Sequence, residues 1–142
     1  MHARWMGAAA ALVVLVASAA AADTLKFAAT LRGADETPPN TSAGTGQVTA
    51  TLDTSTKSFS YHVTYSGLTG PATMAHFHLG APGVAGPPVV PVPAAALSNP
   101  MTGSATLTDA QAADLEAGKW YFNIHTAAHP GGEVRGQVTQ TH

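Results

Sequence analysis

The chain of 142 residues contains no cysteine, and this absence excludes several classes of site at once. Without a thiol there can be no disulfide, thiolate nucleophile, iron–sulfur cluster or cysteine-ligated zinc. Blue-copper centres and c-type haem attachment also need cysteine and are excluded for the same reason. Any metal bound by this chain must therefore be held without thiolate ligands.

Charged side chains are scarce as well, because Asp, Glu, Lys and Arg together make up only 10% of the chain. The formal net charge is −2 at pH 7, which is too small and of the wrong sign for a protein that binds nucleic acid by neutralising phosphates. Hydrophobic residues account for 45% of the chain, a proportion too high for a disordered protein. The composition indicates a folded domain that does not bind nucleic acid.

Turn-forming residues are abundant, with 14 glycines and 10 prolines, and this density excludes a helical bundle. Between the turns, apolar and polar residues alternate with the period of two that is typical of strands. Thr108 and Gln111 have the spacing of a capping box, which predicts one short helix over 109–117. The sequence predicts an all-β fold, a Greek-key sandwich of two sheets with seven or eight strands. The expected strands cover 24–32, 46–52, 57–65, 73–79, 103–107, 120–126 and 132–139.

The first segment, residues 1–22, has the pattern of a secretory signal peptide. Arg4 precedes an apolar stretch from Ala8 to Val16, and Ala20-Ala21-Ala22 matches an A-x-A cleavage site. The apolar stretch is shorter than the roughly 18–20 residues that a membrane span needs, so we expect no membrane anchor. These features predict a periplasmic or secreted protein whose mature domain covers 23–142.

Seven histidines stand out in a chain with so few charges. His76 and His78 are two positions apart in a predicted strand, so their imidazoles leave the same face side by side. On the strand 120–126, alternating bulky residues mark the core face, which puts His125 on the opposite, polar face. We expect these three to hold one metal ion, with His62 and His129 as candidate fourth ligands.

Neutral imidazoles favour copper or zinc, and Cu(II) binds such a site more tightly than Zn(II) does. The alternative interpretation is structural, with histidines that satisfy hydrogen bonds between strands and loops. Near the histidines in sequence, Glu133 and Arg135 share a strand face, either as an ion pair or with Arg135 bordering the site and attracting an anion. The acidic pair Asp35-Glu36 is expected to lie in a solvated turn.

Several motifs resemble the CHRD domain, a family found in chordin and in exported bacterial proteins. The resemblance covers nearly all of 23–142 and is carried by the following stretches: Leu31 to Pro39, Gly44 to Leu52, Ala75-His76-Phe77-His78-Leu79-Gly80, Trp120 to Thr126 and Gly131 to Val138. Chordin is an extracellular growth-factor-binding protein, so the resemblance implies an exported domain that could contact a protein partner. The matching polar positions are His76, His78, His125 and Arg135.

A more distant likeness is to copper/zinc superoxide dismutase, also a secreted Greek-key sandwich. Its His-x-His strand is similar to His76-Phe77-His78, its late histidine to His125, and its arginine after a glycine-rich turn to Arg135. The disulfide of that family is missing here, and the loop 80–93 lacks the additional zinc ligands. Three functions stay open: a metal-binding module, a copper enzyme acting on superoxide, and an adhesive domain that uses the proline-rich stretch 81–93.

Overall fold

The computed structural model describes residues 7–15 and 23–142. Residues 7–15 are exposed and have no regular secondary structure, so all of the described strands and helices lie within 23–142. The rest of the predicted leader lies outside the described residues. No helix in the described ranges has the length and apolarity needed to cross a membrane.

Within residues 23–142, nine strands, one α-helix and two short 3-10 helices form the fold. The strands are β1 (Thr24–Arg32), β2 (Thr45–Asp53), β3 (Ser58–Ser66), β4 (Ala72–Leu79), β5 (Pro88–Pro91), β6 (Met101–Thr106), β7 (Trp120–Thr126), β8 (Val134–Gln137) and β9 (Thr139–Thr141). The α-helix α1 is Asp109–Glu116, and the 3-10 helices are Gly33–Asp35 and Ala94–Ala96. The all-β class with one short α-helix is therefore confirmed, and each predicted strand has a counterpart.

The strands pair antiparallel in the order β5-β4-β7-β8-β1-β2-β3-β6, and β9 also pairs with β1. This path is a single sheet that is nearly closed into a barrel. The predicted division into two sheets with Greek-key connections is not confirmed. Arg135 of β8 pairs with Arg32 of β1, and this pairing joins the strands into one continuous sheet. Such a pairing joins residues a hundred positions apart and leaves no periodic signal in the sequence.

The interior is filled by side chains from alternate strand positions. Along β2 and β3, every second residue is buried, as the period-two pattern predicts. Aromatic rings form the centre of the core: the Phe77 ring lies 4.7 Å from that of Phe122 and 5.1 Å from that of Phe59, between centroids. Trp120 packs against the same cluster. The core therefore joins β3 to β4 and β7 across the barrel.

Strand β7 is buried along its whole length, unlike the strands of the β1–β3 meander. Its core face carries Trp120, Phe122 and Ile124, each of which is fully buried. Its other face is polar, yet it is also buried because loops fold over it. Polar groups on that outer face must therefore find partners within the protein.

Helix α1 crosses from β6 to β7 and has the predicted start. The Thr108 hydroxyl accepts a hydrogen bond from the Gln111 backbone N–H, and the Gln111 side chain accepts one from the Thr108 N–H. Leu115 is buried against the core. Just beyond the helix, Gly118 has a φ of 74°, the left-handed conformation that favours glycine after a helix.

We expect the substitution Phe77→Ala to lower the free energy of unfolding by about 3–5 kcal/mol, because it leaves a cavity among four aromatic rings. Chemical denaturation monitored by tryptophan fluorescence measures this change. Val84→Ala is the control, since Val84 is 53% exposed and its truncation should change stability by less than about 0.5 kcal/mol. Equal effects of the two substitutions would contradict the assignment of Phe77 to the core.

Candidate metal centre

Three histidines from two strands come together on the outer face of the sheet. His76 and His78 leave β4 on the same side, and β4 is paired with β7, from which His125 projects. Their ring centroids are 5.3 Å apart for His76–His78, 5.4 Å for His76–His125 and 6.4 Å for His78–His125. One nitrogen of each ring lies within 4.8 Å of the chosen nitrogens of the other two. Nitrogens bound at about 2.0–2.1 Å to one ion lie roughly 3–4 Å apart, so the rings would close in on an ion that they shared.

Backbone carbonyls lie within hydrogen-bond distance of two of these rings. His78 Nδ1 lies 2.9 Å from Gly86 O, and His125 Nδ1 lies 2.8 Å from Pro130 O. A carbonyl oxygen only accepts hydrogen bonds, so His125 Nδ1 carries the hydrogen, and the neutral ring has its lone pair at Nε2, as a metal ligand requires. His78 has the same arrangement when it donates to Gly86.

Two nitrogen atoms of the group are buried without a hydrogen-bond partner, namely His76 Nδ1 and His125 Nε2. Buried polar atoms are nearly always satisfied in proteins, so each exception calls for an explanation. Both atoms belong to the same cluster, and the His125 atom is the one left free by the Nδ1 bond to Pro130. The cluster thus contains two buried ring nitrogens whose hydrogen-bonding capacity is unused.

Burial favours the neutral form of the imidazoles of His76 and His78. Desolvation lowers the pKa of His76 below its ordinary value, and the neighbouring His78 and His125 lower it further. Desolvation also lowers the pKa of His78, although its bonds to Gly86 and Asn123 act in the opposite direction. Neutral rings are the form that binds a metal ion.

Asn123 lies on β7, opposite His76, and its side-chain Oδ1 is 2.9 Å from His78 Nε2. Both ring nitrogens of His78 therefore face oxygen atoms, and a neutral ring can donate its one hydrogen to only one of them. Asn123 thus occupies the Nε2 side of His78.

Arg135 is separated from the three-histidine group by the ring of Tyr121. The Tyr121 ring lies parallel to the His78 ring at 4.6 Å, and the Arg135 guanidinium lies 3.4 Å from the Tyr121 centroid. The guanidinium donates hydrogen bonds to Thr37 Oγ1 at 3.1 Å, Val84 O at 2.9 Å and Ala81 O at 2.9 Å. Arg135 thus holds the loops that cover the outer face while it stacks on the layer that contains His78.

Glu133 binds other loops that lie over the same face of the sheet. It makes no ion pair with Arg135 within the described residues. Its fully buried carboxylate accepts hydrogen bonds from the Ser42 hydroxyl at 2.8 Å, the Thr126 hydroxyl at 2.8 Å, and the backbone N–H and hydroxyl of Thr69. Burial acts to raise the pKa of Glu133, but these hydrogen bonds outweigh burial and hold the pKa below its usual value. Glu133 therefore anchors the loops that carry these partners and does not form the predicted ion pair.

The two candidate fourth ligands lie outside the three-histidine group. His62 is on the exposed face of β3, opposite Thr49 and Thr102 of the neighbouring strands. His129 lies in the turn after β7, with Nε2 4.0 Å from Glu133 Oε1. The structure thus brings together His76, His78 and His125 and leaves His62 and His129 apart from them.

The prediction of a solvated turn is wrong for Glu36, although Asp35 is exposed and pairs with Arg32 at 3.0 Å. Glu36 is only 5% exposed, and burial raises its pKa to about 7, against the effects of the Thr37 N–H, the Arg135 charge and the Asn123 side chain. Its carboxylate reaches toward Gly132, where an added Cβ would lie 2.5 Å from Glu36 Oε1. No periodicity marks this loop residue, so the sequence offered no sign of its burial.

The structure thus defines an all-β domain with a buried polar layer that contains three converging histidines. The family model for the CHRD domain matches residues 27–138 of this chain. The chain therefore belongs to the CHRD domain family. Comparison with curated proteins and with solved structures found no significant match.

We expect the substitution Glu36→Gln to change how stability depends on pH. The pKa of Glu36 is about 7 in the folded protein and 4.5 in the reference state, so its stabilising contribution is complete below pH 4.5 and is lost as the pH rises through 7. The amide stays neutral throughout. The melting temperature of the variant relative to the wild type should therefore be higher at pH 8 than at pH 5.

Thermal melts of both proteins between pH 4.5 and pH 8 measure this difference. Glu116→Gln, at an exposed position of helix α1, is the control. The difference in melting temperature between this variant and the wild type should not vary over pH 6–8. A constant difference between Glu36→Gln and the wild type across that range would contradict the raised pKa of Glu36.

Proposed function

We propose that this CHRD-domain protein is an exported metal-binding module that holds one copper or zinc ion through His76, His78 and His125. The observation that carries the proposal is the convergence of one nitrogen from each of the three rings, in a group where His76 Nδ1 and His125 Nε2 are buried without a hydrogen-bond partner. A bound ion would give His125 Nε2 the partner that it lacks. It would take His78 Nε2 from Asn123, whose amide would then be free to turn.

The donor set determines which metals fit. Three neutral imidazoles suit copper and zinc, whereas calcium and magnesium prefer oxygen ligands. The group contains no carboxylate. The carbonyls of Gly86 and Pro130 would orient two of the rings, as partners of metal-bound histidines commonly do.

The proposed role is to store or deliver the metal outside the cytoplasm, in the periplasm or after secretion. CHRD domains occur in extracellular or secreted proteins, which agrees with a leader over residues 1–22. His76 is more exposed than His78 and His125, so its side of the cluster is the route by which an ion would enter.

A copper-dependent dismutase-like enzyme is the second candidate, and Arg135 is the residue that favours it. However, Arg135 is only 2% exposed and its guanidinium already donates to three oxygens. The adjoining pocket of about 410 Å³ is lined by Arg135 but also by the acidic Asp35 and Glu36. These features make Arg135 a poor guide for an anion and favour binding over catalysis.

A structural or adhesive role that uses residues 81–93 is the third candidate. In that case every buried nitrogen of the three rings should have a hydrogen-bond partner within the protein. His78 meets this condition through Gly86 and Asn123, but His76 Nδ1 and His125 Nε2 do not. The unsatisfied atoms therefore favour the metal module over the adhesive domain.

Calorimetric titration of the metal-free protein with Cu(II) and with Zn(II) tests the proposal. We expect one ion per chain, with a Kd below about 10 μM for at least one of the two metals. His76→Ala and His125→Ala should each weaken binding by roughly tenfold or more, because each removes one of three ligands. His62→Ala, which removes an exposed histidine of β3, should leave the affinity unchanged.

Circular dichroism melts of each variant show whether it is folded before titration. The absence of tight binding by the folded wild type, or equal binding by His76→Ala, would contradict the metal module. Dismutase activity of the copper-loaded protein well above that of free copper would instead favour the enzyme.

A further inference from the structure

A methionine side chain lies on the same strand face as the histidine pair. Along β4, Ala75 and Phe77 point into the core and are 1% and 0% exposed. Met74, His76 and His78 alternate with them and therefore leave the opposite face. Met74 is 48% exposed, whereas the remaining large hydrophobic residues of β4 and β7 are largely buried.

The register of the sheet places Met74 beside His125. The two residues are directly opposite each other in the antiparallel pairing of β4 with β7. Side chains in directly opposite positions share a face, with Cβ atoms about 4.5–5.5 Å apart. The Met74 side chain thus leaves the sheet beside His125, whose Nε2 is buried without a partner.

Met74 also lies toward the open side of the cluster. His78 is covered by Gly86 and stacked on Tyr121, and the Nδ1 side of His125 is covered by Pro130. His76 is half-buried and Met74 is exposed. A flexible thioether at this position can turn over the point where the three nitrogens converge, because methionine has several rotatable side-chain bonds.

We infer that Met74 Sγ is a fourth ligand and that the site is selective for Cu(I), an inference that rests on the function proposed above. Thioether sulfur is a soft ligand that favours Cu(I), whereas zinc takes imidazole, thiolate or carboxylate ligands. Three imidazoles and one thioether provide a neutral set of four donors. This donor set favours copper over zinc, whereas three histidines alone suit either metal.

The substitution Met74→Leu tests the inference, because leucine keeps the size and apolar character of the side chain but lacks sulfur. Competition with a chromogenic Cu(I) chelator under anaerobic, reducing conditions gives the Cu(I) affinity of the full chain. We expect Met74→Leu to lower that affinity by roughly tenfold or more and to change the Zn(II) affinity by less than about twofold.

Met101→Leu is the matched control, since it also removes one methionine sulfur but from a fully buried core position on β6. It should leave the Cu(I) affinity unchanged. X-ray absorption of the Cu(I)-loaded wild type should show a sulfur neighbour of copper that is absent in Met74→Leu and present in Met101→Leu.

The outcomes separate this inference from the proposed function. If the wild type binds Cu(I) through the histidines with no sulfur neighbour, and Met74→Leu binds equally well, Met74 is not a ligand. If Met74→Leu weakens Cu(I) and Zn(II) to the same extent, the side chain acts through packing and the selectivity is overturned. If the folded wild type binds neither metal, the proposed function itself fails.

Discussion

The pairing of β4 with β7 is the constraint on which the rest of the molecule depends. One register puts Phe77 opposite Phe122 in the core and His76 opposite Asn123 on the outer face. A slip of β4 by one residue would turn Phe77 outward and direct His76 and His78 into the aromatic cluster. The packing of the core therefore fixes the geometry of the polar layer, although the two share no side chain.

The loops that cover the outer face are held by polar bonds rather than by apolar contacts. Glu133 joins the segments that contain Ser42, Thr69 and Thr126, and Arg135 joins the loop at Thr37 to the loop that contains Val84. Burial of such groups is unfavourable unless hydrogen bonds compensate for the lost water. Most of them are compensated, and the buried side-chain atoms left without a partner include two histidine nitrogens, His76 Nδ1 and His125 Nε2, together with Glu36 Oε1 and Gln137 Oε1.

Local features of this fold could be predicted from the sequence, and long-range features could not. Strand periodicity, the Thr108–Gln111 capping box and the shared face of His76 and His78 depend only on neighbouring residues. The approach of His125 depends on which strands pair and in which register, information that the alternation of a single strand does not contain. For the same reason, the sequence predicts that His62 and His125 both face outward, although only His125 lies beside His76 and His78 in the structure.

Separation of core and cluster also determines how a bound ion would relate to folding. In small zinc domains the metal takes the place of a core, and the chain unfolds without it. Here Phe59, Phe77 and Trp120 pack on the opposite face of β4 and β7 from the histidines. The fold thus orients His78 and His125 without an ion. An ion that bound there would not have to offset the conformational entropy of ordering these rings, because folding has already ordered them. Binding would then add stability by mass action, in proportion to the logarithm of the free-metal concentration once that exceeds the Kd, without being required for the fold.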